Sequence, residues 1–212
     1  MGNQEHRLLS CVLLSACVLG GAACSDDDQI SSDEEARRAY LGLDTSIEKS
    51  LSLGFDGFNS ASSANIAPQM TTGTLTGALT ITGQVDQGSS DNKGMRLRVG
   101  MVDYSDGLFT VVVEGEDEPI EVDLTYDTAE VAESQPYLQL SLRDIPAGTF
   151  TGTLAGDYIL AGDIEGAVTL TLTMSGQLQD AGGGVVQRVP GTTTVTGTAT
   201  SGDGLYDVAL TL

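Results

Sequence analysis

The 212-residue chain carries 30 acidic against 9 basic residues, a formal charge of −21, with one histidine, three cysteines and no tryptophan. Such an excess of negative charge repels polyanions, which excludes nucleic acid as a partner, while length and hydrophobicity suit one globular domain. His6, Cys11, Cys17 and Cys24 all fall within the first 24 residues, so the remainder offers no Ser-His-Asp or Cys-His site, no His- or Cys-ligated zinc and no disulfide.

At the N-terminus Arg7 precedes an apolar run, Leu8–Ala23, that ends at Cys24. The run has the length of a secretory signal and is short for a membrane-spanning helix. Two cysteines follow small residues: Leu14-Ser15-Ala16-Cys17 and Gly21-Ala22-Ala23-Cys24. These residues resemble a bacterial lipoprotein precursor, in which a small-residue motif precedes a cysteine that is acylated and becomes the mature N-terminus. The resemblance covers only the first tenth of the chain. It implies a signal peptide over 1–23, lipidation at Cys24, and a partner in the membrane of a bacterial cell envelope, with the domain facing periplasm or cell surface. Cys17 fits the motif better, having leucine in place, but processing there would leave Val18–Ala23 as apolar residues outside the signal. A plain secretory cut near Ala23 is the remaining alternative.

Residues 24–32 are acidic and small, a flexible tether. Ser32-Asp33-Glu34-Glu35 then reads as a capping box opening a helix. Tyr40, Leu43, Ile47, Leu51 and Phe58, with Gly54 filling the missing turn, place one apolar stripe along a helix from 33 to about 58, roughly 39 Å long. Gly42, Gly54 and Gly57 invite fraying, or a break after Leu53. Glu48 lies off the stripe and is expected to be expendable. Residues 59–70 read as a connector, so that 33–70 forms one unit.

From Thr71 to Leu212 the period becomes two, the pattern of strands with one buried and one wet face. Leu75, Leu79, Ile81 and Val85 face one way; Met95, Leu97, Val99 and Met101 repeat the pattern opposite Arg96 and Arg98. Phe109, Val111 and Val113, then Ile120, Val122, Leu124 and Tyr126, then Leu138, Leu140 and Leu142 follow. The longest alternation runs from Asp163 to Gln179, with bending expected at Gly166 or Gly176. Asp180–Gly184 reads as a hairpin loop before a return strand from Val185 to about Thr200. Ser201–Gly204 leads to a last strand through Val208. These features predict an all-β fold, an antiparallel sandwich or up-and-down barrel of about 8–10 strands with one N-terminal amphipathic helix. The helix is expected to dock on a sheet face notched by Gly77, Gly83, Gly166 and Gly176. Three short segments recur in order, Thr72–Leu75 as Thr151–Leu154, Leu79–Val85 as Leu172–Leu178, and Asp106–Phe109 as Asp203–Tyr206, so an internal duplication is one reading.

Without histidine, carboxylates are the only catalytic candidates, and no pair stands out. Asp86–Asn92 and Asp103–Gly107 hold oxygen ligands suited to calcium, but neither has EF-hand spacing and both suit turns. No catalytic, cofactor-binding or metal residue is assigned, and no cofactor. The sequence reads as a non-enzymatic, lipid-anchored envelope domain that binds or scaffolds another envelope component. A barrel carrier of a lipid or other apolar ligand is the alternative.

Overall fold

The computed structural model describes residues 29–112 and 118–212. The signal segment and Cys24 lie outside the described residues. Helix α1 (Asp33–Leu41) opens on Ser32, whose Oγ accepts from the Glu35 amide at 3.2 Å. The Glu35 carboxylate returns to Ser31, accepting from its amide and hydroxyl at 2.7 and 2.8 Å. The capping box is thus present, with its reciprocal arm shifted back one residue.

Helix α2 (Asp44–Ser60) continues the same apolar stripe after a break at Gly42 and Leu43, earlier than the break considered after Leu53. The break has a tertiary cause. A buried phenol, Tyr126, donates to the Ala39 carbonyl at 3.0 Å, the acceptor a continuous helix would give to Leu43; Leu43 instead bonds Tyr40. A Cβ at Gly42 would run into the Tyr126 hydroxyl, so only glycine lets that side chain reach the helix axis. No helix among the described residues is long and apolar enough to cross a membrane.

Twelve strands follow among the described residues. They are β1 (Asn65–Thr72), β2 (Thr76–Val85), β3 (Lys93–Ser105), β4 (Phe109–Val111), β5 (Ile120–Val122) and β6 (Leu124–Asp127). After a 3₁₀ turn at Ala132–Ser134 come β7 (Tyr137–Arg143), β8 (Thr149–Gly162), β9 (Gly166–Asp180), β10 (Val186–Arg188), β11 (Thr194–Ser201) and β12 (Gly204–Thr211). Ten form one antiparallel sheet in the order β1-β2-β3-β6-β8-β9-β11-β12, with β7 between β3 and β8 and β10 beside β9; β4 and β5 pair separately. The all-β class with an N-terminal helical segment is therefore as the periodicity predicts.

The count exceeds ten for local reasons. β1 occupies part of the segment read as a connector. As an edge strand with one buried residue, Ile66, interrupted by Pro68 and a register shift, it carries no alternating pattern in the sequence. The return strand splits into β10 and β11 around Pro190, which lacks the amide a ladder needs. Of the recurring segments, Thr72–Leu75 closes the β1–β2 turn while Thr151–Leu154 lies within β8.

The sheet curls around the helices. α1 packs on β12, at one end of the strand order, and α2 packs on β1 and β2, at the other. Tyr40 and Leu43 are 0 % exposed, Ile47 and Leu51 2 %, in one core with the inward residues of the sheet. Docking is as expected, but its notches are not. Gly77 and Gly83, at positive φ, make room for the backbone of the neighbouring strand β3. The close approaches to the helix lie on the helix itself: a Cβ on Gly54 would sit 2.8 Å from Met95 Sδ, and one on Gly57 2.9 Å from Ile66 Cβ. The expectation for Glu48 is also corrected. It binds Arg188 Nε at 2.9 Å, and Arg188 is largely buried.

Both sheet edges are blunted. On β12 the outward amide of Asp207 is taken by the Asp33 carboxylate at 2.8 Å, so α1 covers that edge. On β1, Pro68 and the irregular register interrupt the ladder.

Candidate functional site

Because successive strand residues alternate faces, the pairing register determines which wet residues stand side by side. Arg96 pairs with Gln139, Gln139 with Thr153, Thr153 with Thr173, and Thr173 with Thr196. One step away along the strands, Gly94, Ser141, Thr151, Ser175 and Thr194 form a second rank across β3, β7, β8, β9 and β11. At the usual strand separation each rank is about 19 Å long, and the two lie roughly 7 Å apart.

These ranks form the floor of a hollow of about 690 Å³ in the outer sheet face. Its only charged lining residues are Asp86 and Arg96, which pair at 2.7 Å at one end. Asp86 also accepts from the Gly94 amide at 3.0 Å. The Arg96 guanidinium, aided by that amide, holds the Asp86 carboxyl below its ordinary range, so the pair is ionised and self-compensating. Thr173 and Thr196 approach each other, hydroxyl to hydroxyl, at 3.0 Å. Among the described residues the side chains of Gln139, Thr151, Thr153, Ser175 and Thr194 enter no hydrogen bond and face solvent or the hollow.

The two calcium-candidate loops have other occupations. The Asp106 carboxylate accepts from Lys49 Nζ, from the Tyr104 hydroxyl, and from both amide and hydroxyl of Thr74. Burial opposes its charge, but these donors outweigh burial and hold its carboxyl below the usual carboxylate range. With its oxygens so engaged it is a clamp joining α2, the β1–β2 turn and the end of β3. In the other loop, Ser90 accepts from the Asn92 amide, a turn contact, and the Asn92 side chain accepts from the Asp144 amide at 3.0 Å, which ties this loop to the turn after β7. No group of three His, Cys, Asp or Glu is disposed to hold a metal among the described residues.

The interior, where a carrier would keep its ligand, is occupied by Tyr40, Leu43, Ile47, Leu51, Tyr126 and Tyr158, all 0–2 % exposed. Cys24, the one site residue assigned from sequence, lies outside the described residues. From sequence, Arg96, and Thr173 and Ser175 within the Asp163–Gln179 alternation, fall on wet strand faces, while Gln139, Thr151, Thr153, Thr194 and Thr196 are not singled out. Their alignment depends on register between strands distant in sequence, and alternation within each strand is the only trace of it.

No protein-family model, no curated protein and no solved structure matches the chain.

Proposed function

We propose that the chain is a non-catalytic binding or scaffolding domain, held in a bacterial cell envelope by a lipid on Cys24. What supports this reading best is the division of the domain into a sheet closed on its own helices and an outer face on which several hydroxyl and amide groups have no partner among the described residues. A filled interior argues for binding at the surface and against the carrier alternative, which needs the volume that the α1–α2 stripe occupies. The apolar run ending at Cys24 and the acidic residues after it support the anchor.

Expression in a bacterial host followed by fractionation tests the anchor. Intact mass of the membrane fraction should carry a diacyl or triacyl N-terminal cysteine, and Cys24→Ser should move the chain to the soluble fraction. Unchanged membrane attachment of Cys24→Ser would reassign the anchor to Cys17 or remove it.

A further inference from the structure

We propose that the outer hollow across β3, β7, β8, β9 and β11 is a binding site for an uncharged, hydroxyl-rich carbohydrate chain. The inference rests on the reading of the chain as a binding domain and names its ligand class.

The chemistry of the lining selects the class by elimination. Its one cation and one anion neutralise each other, so no net charge is offered to a charged ligand. The net −21 of the chain further disfavours a polyanion. An acyl chain requires a continuous apolar trough, whereas here the apolar surface is broken by two ranks of hydroxyl and amide groups, an amphipathic floor of the kind a sugar ring, with its C–H and O–H groups, also presents. An extended peptide docks on a sheet by continuing its ladder at an edge; the hollow lies on a face, five strands wide, where the main-chain groups are already paired.

What the floor does supply is a row of groups that each donate and accept. A threonine or serine hydroxyl has one donor and two acceptor sites, and Gln139 adds two donors and an acceptor. A sugar hydroxyl has the same dual character, so either partner rotates to satisfy the other. Thr151, Thr153, Ser175 and Thr194 have no competing partner among the described residues. They stand on rigid central strands, which reduces the ordering cost of binding. The ranks run across the strands, so a linear chain of several sugar units would lie perpendicular to them, from the Asp86–Arg96 pair toward β11.

The test is equilibrium titration of the detergent-purified full chain with three neutral hexasaccharides: maltohexaose, cellohexaose and chitohexaose. Saturable binding of at least one is expected, with a Kd below about 1 mM, and Thr153→Val/Ser175→Ala should weaken it at least about tenfold. The unfolding midpoint of the double variant, measured alongside, should stay near that of the parent, since both positions are exposed. Failure of all three sugars to bind overturns the proposal, as does equal affinity in a folded double variant, or tighter binding of polygalacturonate than of the neutral sugars. Binding accompanied by shortening of the oligosaccharide upholds the site and overturns the non-catalytic reading. None of these outcomes depends on acylation at Cys24, which the fractionation decides separately.

Discussion

Arg188 on β10 grips Asp44 at the start of α2 with both terminal nitrogens, at 2.8 and 2.9 Å, while its Nε holds Glu48 at 2.9 Å. The same Asp44 accepts from Tyr40 at 2.9 Å, so one guanidinium ties both helices to the short strand beside β9. Its side chain is only 10 % exposed. Asp44→Ala removes the bidentate partner and leaves this buried cation with Glu48 and the residue-44 carbonyl, and should cost about 2–4 kcal/mol in urea unfolding, whereas Asp44→Ala/Arg188→Met should cost less than Asp44→Ala alone. Glu48→Ala leaves the bidentate pair in place and should cost roughly 1–2 kcal/mol. Equal midpoints for the single and double variants would show that the cation is better solvated than its surroundings imply.

Stability should narrow from both ends of the pH scale. Asp106 titrates below its unfolded value, so its contribution is present above about pH 4 and is lost as pH falls through the lower folded value. Asp106→Asn should therefore flatten the acid limb of the stability curve while lowering its plateau. Burial holds the phenols of Tyr40, Tyr104, Tyr126 and Tyr158 above their ordinary range. Their contribution is complete below about pH 10 and falls above it, so tyrosinate absorbance from these four should rise together with loss of structure. A tyrosinate signal that develops fully while circular dichroism is unchanged would contradict this.

The two packed glycines of α2 should respond differently to alanine. At Gly54 the added methyl meets Met95 Sδ, the end of a flexible side chain, and the gain in helix propensity offsets the small rearrangement. Gly54→Ala should be within about 1 kcal/mol of neutral. At Gly57 it meets three atoms of Ile66, which is stiff and anchored in β1, and Gly57→Ala should cost about 1–3 kcal/mol. Thermal unfolding of the pair ranks them directly.

Ser50, fully buried on α2, has a hydroxyl with no partner among the described residues. Ser50→Ala removes a desolvated donor and favours the helix, and should raise stability by roughly 1 kcal/mol. Leu51→Ala, one residue on, should lower it by about 2–5 kcal/mol. Opposite signs at adjacent positions would separate polar burial from apolar packing in a single urea series.

What the chain discloses locally, it discloses well. Ser32 and Glu35 mark the helix start, the Tyr40–Leu51 spacing marks its buried face, and alternation in β2, β3 and β9 gives both strands and sheet faces. What escapes depends on partners far along the chain. The helix break needs Tyr126, 87 residues from Ala39, and the worth of Glu48 needs Arg188, 140 residues away. The hollow is of the same kind. Thr173 is legible as exposed, but only the register of five strands sets Thr153 beside Thr173 and Thr173 beside Thr196.

The blunted sheet edges acquire a further meaning if the domain is tethered by a lipid. Confinement to a surface raises encounter frequency far above that of a dilute solution, and an open ladder is a template for chain-to-chain strand addition. Asp33 caps the β12 edge through Asp207, and Pro68 breaks the β1 edge. Neighbouring copies on such a surface would therefore meet interrupted rows in place of a continuous ladder. A dense coat of such domains would remain a population of separate molecules, each with its outer face free.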